Sequence, residues 1–307
     1  MTACPATPPQ PAKHSYLGVV VPFVVICLVW GSTWLVIKDQ VSTIPAPWTA
    51  TWRFAVAAPG MALLALYRRE SLRIPAAAQR VAMAVGAALF CLNFQFVYQA
   101  EKHVTSGVVA VTFALLILPN AVFARIFLGI RVSLGFVAGS ALALIGIALL
   151  VLHEYRMAPP DSEVIFGIGL CFGALLVASA ANVVQASAGA RTAPAAPLLA
   201  WAMFWGTVCN FAVSWTLAGP PVIDPRPQAL AGVAYLALVG SVLTFPLYFN
   251  LLHRIGPGKA AFHAVIVPVV AMLLSTLFEG YQWTLLAATG AALAIFGVLI
   301  ALSSRRM

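Results

Sequence analysis

The chain has 307 residues, of which 62% are hydrophobic and only 8% are charged. A soluble domain carries about 25% charged residues, so this chain cannot build a water-exposed surface, and lipid must cover most of it. The net charge of +9 does not indicate nucleic-acid binding, since the basic residues fall in short gaps between apolar runs and do not cluster on one segment.

Ten apolar segments are each long enough to cross a bilayer, which needs about 20 residues. They are predicted at residues 17–37, 47–67, 76–98, 103–123, 134–152, 164–187, 197–217, 228–252, 259–278 and 283–302. The gaps between them contain Pro, Gly or charged residues. Helices are required because unpaired backbone groups are too costly in lipid. The sequence therefore predicts an all-α membrane protein with ten transmembrane helices.

Basic residues are distributed unequally between the two faces of this arrangement. With the N-terminus inside, twelve of them lie in inner loops, and four lie in outer loops: Lys38, Lys102, Arg156 and Arg226. Cytoplasmic loops of membrane proteins carry the excess of Lys and Arg. We therefore expect both termini in the cytoplasm.

The two halves of the chain repeat each other. A shift of 149 residues places Trp201 on Trp52 and Pro268 on Pro119, and near the end a shift of 151 aligns GAALAIFGVLI with GSALALIGIALL. Since five is an odd number of crossings, two five-helix copies must lie upside down relative to each other. Inverted repeats are common in secondary transporters, whose substrate sites lie near the midplane between the repeats.

This repeat divides the chain into five parts. We predict a disordered cytoplasmic N-terminus at 1–16, a first repeat at 17–152, a periplasmic linker at 153–163, a second, inverted repeat at 164–302 and a cytoplasmic tail at 303–307.

Three stretches of the first repeat resemble a known family. They are VWGSTWLVIK from residue 29, WRFAVAAPGMALLAL from residue 52 and LPNAVFARIFLG from residue 118. Together with the doubled five-helix unit, they resemble the EamA-type branch of the drug/metabolite transporter superfamily over residues 17–302. The resemblance implies a bacterial inner-membrane exporter of amino acids or other small metabolites, and several bacterial members resemble aromatic amino-acid exporters. The family often has a glutamate after the fourth helix; here that position is Ile130, while Glu279 keeps the acid in the second repeat.

Polar and aromatic residues inside the spans are the candidates for substrate binding. The face shared by Trp30, Thr33 and Trp34 indicates a cavity wall, although packing of small residues and, for Trp34, an interfacial position are alternatives. For the buried amides the alternative is hydrogen bonding between helices, and for His263 a neutral core position. The full set is Trp30, Thr33, Trp34, Asn93, Phe96, Gln99, Asn182, Gln185, Tyr248, Asn250 and His263.

Two basic residues and three prolines complete the candidates. Arg53 and Lys38 are the charge and gating candidates. Each is expected to act as a helix-end clamp or to attract a substrate carboxylate, and snorkelling of Arg53 to the outer interface is the structural alternative. Pro119 and Pro268 lie at equivalent places and are interpreted as paired hinges. Pro246 either frees carbonyl groups near a ligand or only kinks its helix.

Other classes of chemistry lack support in the sequence. Five cysteines form no CxxC pair and no Cys/His ligand spacing, so we expect no metal and no disulfide. Walker, GxSxG and HExxH motifs are not found, so we expect no cofactor and no enzyme. No Asp or Glu lies deep inside a predicted span, which makes facilitated efflux an alternative to proton coupling, with His263 as the internal proton candidate.

The sequence thus predicts a secondary transporter that exports small amphipathic metabolites. Amino acids, with aromatic ones preferred, would pass by alternating access through a central midplane cavity. The alternatives are a passive channel for small solutes and a membrane-embedded lipid-handling enzyme. The expected partners are the small-molecule substrate and membrane lipid, with the chain acting as a monomer and without nucleic acid.

Overall fold

The computed structural model describes residues 17–128, 133–158, 163–260 and 262–304. Within these ranges all regular structure is helical. The predicted N-terminal segment 1–16 and part of the predicted linker and tail lie outside the described residues, as do four of the loop cations counted above: Lys13, Arg131, Arg305 and Arg306.

Ten helical segments, numbered here in chain order, correspond to the ten predicted spans. Their bounds are α1 Leu17–Val41, α2 Ala46–Tyr67, α3 Ala76–His103, α4 106–128, α5 Leu134–Met157, α6 Val164–Gln185, α7 Ala195–Ala218, α8 227–260, α9 His263–Phe278 and α10 Leu285–Ser303. Of these described helices, α9 is the shorter apolar one with 16 residues, and the other nine are long enough to cross a membrane. Helices α1, α3 and α5 run four to five residues past their predicted ends, so residues 153–157 are helical, although the sequence predicted a linker there.

The last helices of the two copies, α5 and α10, pack antiparallel with their backbones in contact. A Cβ atom placed on Gly139 would lie 2.6 Å from the carbonyl oxygen of Gly297, and one on Gly146 would lie 2.6 Å from that of Gly290. Small residues allow such close approach in a membrane. The repeat aligns Gly139 with Gly290 and Gly146 with Gly297, whereas the contacts join Gly139 to Gly297 and Gly146 to Gly290. The two equivalent helices therefore lie in opposite directions, which confirms the predicted inversion.

Two tryptophans at equivalent positions make the same bond across the copies. Trp52 Nε1 in α2 donates to the carbonyl oxygen of Val222, after α7, at 2.8 Å. Trp201 Nε1 in α7 donates to the carbonyl oxygen of Leu72, after α2, also at 2.8 Å. Each indole thus fixes the chain that follows the equivalent helix of the other copy.

Helix packing follows the same pseudo-twofold rule. Helix α1 contacts α8 and α9, and its equivalent α6 contacts α3 and α4. Three of the other four helix types pack on their own equivalents, α2 against α7, α4 against α9 and α5 against α10, while α3 packs on α7 and its equivalent α8 packs on α2. The helices at the centre are therefore contributed alternately by the two copies, and the space between them is a shared interior.

A π-helical segment interrupts the third helix of each copy. It covers Gly86–Asn93 in α3 and Tyr235–Leu243 in α8, and these segments begin 149 residues apart, as the repeat requires. The predicted hinges differ from this pattern. Pro268 lies inside a continuous helix, Pro119 follows a short 3-10 turn at Ala114–Leu116, and Pro246 follows the π segment. The irregularities that the two copies share are therefore the π segments, and π segments often occur at functional sites.

We expect Gly146→Ala to destabilise the protein by about 1–3 kcal/mol, because the added methyl group would overpack the α5–α10 contact. The matched control is Gly169→Ala in α6, where a Cβ atom meets nothing within 4 Å, and where alanine favours the helix. Thermal unfolding in detergent measures both. Equal melting temperatures for the two variants would contradict the proposed importance of the backbone contact.

Candidate functional site

A central cavity of about 340 Å³ lies between the two copies. This volume falls in the range of small-molecule pockets, roughly 300–1,000 Å³. Its walls come from α1, α2, α3, α4, α6, α8, α9 and α10. Nine predicted residues line it: Trp30, Thr33, Trp34, Arg53, Asn93, Asn182, Tyr248, His263 and Pro268.

Aromatic rings gather around Trp30 on one wall of the central cavity. The ring centroid of Trp30 lies 5.2 Å from that of Tyr248, 5.2 Å from that of His263 and 5.7 Å from that of Phe245. The rings of Tyr248 and His263 are 5.0 Å apart. Edge and tilted geometries of this kind are favourable, and they leave π faces and ring edges for the apolar part of a ligand.

The small residues after Trp30 divide between packing and the cavity. Gly31 faces α9, where a Cβ atom would lie 2.5 Å from the Cβ of Val270. The hydroxyl groups of Ser32 and Tyr235 are 2.6 Å apart, which links α1 to α8. Thr33 lies on the cavity wall, but its hydroxyl donates to the carbonyl oxygen of Trp30 at 2.8 Å. In this cluster Gly31 and Ser32 therefore serve helix packing, and Thr33 lies on the cavity wall.

Arg53 is buried, with only 3% of its surface exposed. Its Nε donates to Ser241 Oγ at 3.2 Å, its Nη1 donates to Tyr98 Oη at 3.3 Å, and its guanidinium lies 4.6 Å from the ring centroid of Phe94. Within the described residues it forms no ion pair, and its Nη2 makes no hydrogen bond. The guanidinium is held in place by neutral groups, so its charge is not compensated. The alternative of snorkelling to the interface does not fit this burial.

Two further polar atoms on the wall lack partners. Asn93 Oδ1 is a buried acceptor and Trp34 Nε1 is a buried donor, and neither has a hydrogen bond in the described part of the chain. Buried polar groups without partners are costly, and a ligand in the central cavity can satisfy them. Trp34 packs on Phe113 at 5.1 Å between centroids, so its ring belongs to the cavity wall; an interfacial belt position is not observed.

Two amides and a backbone carbonyl lie on the cavity wall formed by α4, α6 and α9. Asn182 Nδ2 donates to Asn120 Oδ1 at 3.2 Å, which joins α6 to α4. Pro268 has no N–H group, so the carbonyl oxygen four residues earlier, on Ala264, lacks its helical donor, and both residues line the cavity. Asn182 and Thr33 are equivalent under the 149-residue shift, so the repeat places a polar residue on the wall in each copy.

The remaining candidates lie off the central cavity. In α3 the wall is formed by Leu89, Asn93, Phe94 and Val97. Phe96 and Gln99 lie on other faces of that helix, and Phe96 packs near Gly173 of α6. Asn250 Oδ1 accepts from Arg254 Nε at 3.0 Å. The predicted residues outside the cavity lining are Phe96, Gln99, Gln185, Asn250, Lys38, Pro119 and Pro246.

Several residues of the wall were not among the predicted ones. Asn120 follows Pro119 in the LPNA stretch, and its position inside an apolar span was a readable signal. Phe94, Phe113 and Phe245 gave no signal, because an aromatic residue in an apolar span has the same pattern whether it faces lipid, core or cavity. The list of lining residues missed by the sequence also contains Ile37, Leu89, Val97, Ala110, Ala114, Leu116, Ile117, Ala178, Ala264, Val267 and Leu302.

A second cavity, the vestibule, has a volume of about 630 Å³ at the end of the bundle where α1 finishes. We name this end the Lys38 end and the opposite one the His263 end. The vestibule is lined by many ionisable residues: Lys38, Lys102, His103, His153, Glu154, Glu163, Glu279 and Tyr281. Lys38 Nζ donates to the carbonyl oxygens of Glu101 and of Val104, the latter at 2.9 Å. Ile37 lines the central cavity and Lys38 the vestibule, so adjacent residues of α1 separate the two.

Acidic groups at the Lys38 end were expected only in loops. Among the described residues no acid lies in the middle of a helix, but Glu101 near the end of α3 is 0% exposed and Glu154 near the end of α5 is 9% exposed. Glu279 accepts from the backbone nitrogen of Ser106 at 3.0 Å and also from the Ser106 hydroxyl. Glu279, the acid kept in the second repeat, thus caps the N-terminus of α4. A carboxylate at a helix N-terminus stabilises the helix.

Known proteins share this architecture. The model of the EamA-like transporter family matches residues 18–152 and again 165–303, one match for each five-helix copy. The chain also has the fold of a solved structure described as "Crystal structure of protein", with a TM-score of 0.68 and 19% identity over 95% of this chain and 99% of that one. An identity this low shows the fold alone.

Curated relatives cover most of this chain, and two of the three described here carry transporter names. The chain is 24% identical to Protein PagO of Salmonella typhimurium, over 84% of each chain. It is 29% identical to the uncharacterized inner membrane transporter YedA of Escherichia coli K12, over 82% of this chain and 80% of that one. The uncharacterized transporter YoaV of Bacillus subtilis is 22% identical over 90% and 93%. With both copies matched and the inverted helical fold in place, this chain belongs to the EamA-like transporter family of the drug/metabolite transporter superfamily.

Proposed function

We propose that this transporter exports amino acids, with aromatic ones preferred, from the cytoplasm across the bacterial inner membrane by alternating access through the central cavity. The single observation that carries the substrate class is Arg53, a buried cation on the cavity wall without a carboxylate partner in the described residues. A buried charge needs a counter-ion, and the substrate carboxylate supplies it.

The other groups of the wall complement an aromatic amino acid. Asn93 Oδ1 is an unsatisfied acceptor for an ammonium group, and Trp34 Nε1 is an unsatisfied donor for a second carboxylate oxygen. The rings of Trp30, Tyr248 and Phe245 would pack against the substrate side chain. The cavity therefore combines one cation, one acceptor, one donor and an aromatic wall, as an amphipathic zwitterion requires.

The arrangement of the two cavities supports alternating access. We assign the Lys38 end to the outside, following the excess of basic residues in the opposite loops. In this conformation the central cavity is lined toward the His263 end by Asn120, Asn182 and His263, while the Lys38 bonds separate it from the vestibule. Rocking of the two inverted copies would open the Lys38 end and close the other.

Counterflow in proteoliposomes tests this proposal. Liposomes loaded with unlabelled tryptophan should accumulate labelled tryptophan transiently, and the initial rate should saturate, because a carrier exchanges bound substrate. A passive channel shows neither behaviour. Recovery of chemically unchanged tryptophan argues against the lipid-handling enzyme, whose action would alter its substrate or the surrounding lipid.

We expect Arg53→Gln to weaken tryptophan binding by about 10- to 100-fold, the usual loss for a hydrogen bond to a charged group. Wild-type protein should discriminate between tryptophan and tryptophan amide, which lacks the carboxylate, and Arg53→Gln should bind both with similar weak affinity. Competition in the counterflow assay measures this. The control is Gln99→Ala, off the cavity, which should behave as wild type. Undiminished discrimination in Arg53→Gln would exclude the carboxylate contact.

Trp30→Ala and Tyr248→Ala should each reduce tryptophan flux about tenfold or more at low substrate concentration, since each removes a large apolar contact from the cavity wall. Alanine as substrate should be affected much less, because its side chain does not reach the rings. The matched control is Trp215→Ala, which removes an indole that is 51% exposed in α7. Size-exclusion profiles identify misfolded variants, and wild-type flux in both cavity variants would remove these rings from the site.

A further inference from the structure

Glu101 is a buried carboxyl group that has no hydrogen-bond partner among the described residues. None of its surface is exposed, and neither carboxyl oxygen has a hydrogen bond in the described residues. An ionised carboxylate without hydrogen bonds or a counter-ion is very costly to bury, so such a group takes up a proton. In this conformation Glu101 is therefore held as the neutral acid.

Ionisable groups face Glu101 from three other helices. Lys38 comes from α1, Cys171 from α6 and Glu279 from the end of α9, and Tyr98 lies one turn earlier on α3 itself. Lys38 brings a positive charge toward Glu101, and Glu279 brings a negative one. Lys38, however, forms no ion pair with the Glu101 carboxyl in the part of the chain that is described. Its hydrogen bonds go to the backbone carbonyls of Glu101 and Val104.

This lysine lies in the layer that closes the Lys38 end. Its bonds join α1 to the junction between α3 and α4, and its neighbour Ile37 already lines the central cavity. Opening this end must break the Lys38 bonds and admit water to the Glu101 carboxyl. Hydration then favours the ionised form, because water solvates a carboxylate that the closed layer leaves without partners.

We propose that Glu101 is a proton-binding site that controls the Lys38 end: the closed conformation binds a proton on Glu101, and the open conformation releases it. This inference rests on the proposed function only in naming that end as the substrate exit. The closed state holds one more proton than the open state, so acid stabilises the closed state and a rise in pH favours opening.

The other carboxyl and phenol groups of the vestibule differ from Glu101 in their surroundings. Glu154 Oε1 accepts from Thr105 Oγ1 at 2.6 Å, Glu279 accepts from Ser106 and Ser275, and Glu163 lies 3.4 Å from His103 Nδ1. Burial, with Glu154 nearby, raises the pKa of the Tyr281 phenol, which stays neutral. Glu154 and Glu279 keep hydrogen bonds in the closed state, and the side chain of Glu163 is 65% exposed to water, so closure does not oblige these acids to bind a proton.

The proton site is absent from the equivalent place in the second copy. The 149-residue shift places Asn250 on Glu101 and Ser187 on Lys38, so the His263 end has uncharged residues there. Protons thus reach and leave Glu101 from the Lys38 side alone. Acid on that side regulates opening, and Glu101 itself carries no proton across the membrane.

Spin labels at Ser42 and Lys102, both exposed beside the ends of α1 and α3, report opening without any substrate. Electron–electron distance measurements across a pH series should show the open-to-closed ratio rising by up to about tenfold per pH unit, the limit for one proton. Glu101→Gln should remain closed at every pH, and Glu101→Asp should keep the pH dependence. The matched control is Glu163→Gln, a vestibule carboxylate, which should titrate as wild type.

Two further measurements guard against a misfolded Glu101→Gln variant. Lys38→Gln should be more open than wild type at every pH, because it loses the bonds to Glu101 and Val104. The infrared band of neutral carboxylic acids at pH 7 should be stronger in wild type than in Glu101→Gln. A wild-type distance distribution that ignores pH, a pH response that persists in Glu101→Gln, or an equal infrared band would overturn the assignment.

Transport assays then separate this inference from the proposed function. With the pH changed only on the Lys38 side, wild-type counterflow should slow as that side is acidified. Absence of counterflow at every pH would sink the export proposal and leave the spin-label result standing. Counterflow that is unaffected by acid on the Lys38 side would contradict the assignment of Glu101 and leave export intact.

Discussion

The backbone contact between α5 and α10 is the constraint on which the rest of the structure depends. Lipid gives no hydrophobic force to hold helices together, so close packing and hydrogen bonds must do so. Glycines at 139, 146, 290 and 297 let the two equivalent helices touch through their backbones. The copies are thereby joined antiparallel at their last helices, and the tryptophan bonds of Trp52 and Trp201 repeat that relation at α2 and α7. The central helices are left to enclose the cavity.

The fold was predictable from the sequence because its causes are local or periodic. Apolar length defines the ten helices, and the odd number of helices in a repeated unit fixes their inversion. The aligned glycines identify α5 and α10 as equivalent helices, but the alignment does not predict that their backbones touch. The helix ends are predicted less well. The apolar pattern predicts that the third span ends at residue 98, but α3 continues to His103. Glu101 was therefore assigned to a loop, and its burial was missed.

The site was predictable in part, because only polar residues stand out from the apolar sequence of a span. Arg53, Asn93 and Asn182 are conspicuous inside apolar spans, because burial of their polar groups needs an explanation. Phe94 and Phe113 are not, since an apolar ring fits lipid, core and cavity equally well. The π segments were invisible as well. They lie where α3 packs against α7, and a Cβ atom on Gly86 would clash there with the carbonyl oxygen of Ala202. No local sequence pattern predicts this tertiary contact.

The matched π segments also bear on the history of the chain. A π turn widens one stretch of helix and is uncommon in proteins, so its independent appearance at the same register in both halves is improbable. The ancestor, before its gene duplicated, would already have carried it. A five-helix ancestor of this kind would have no second half to enclose a chamber, so it would need to pair with an identical molecule inserted the other way up. Fusion of two such genes would let each half diverge, and the acidic residue near the end of α3 has an uncharged counterpart in α8.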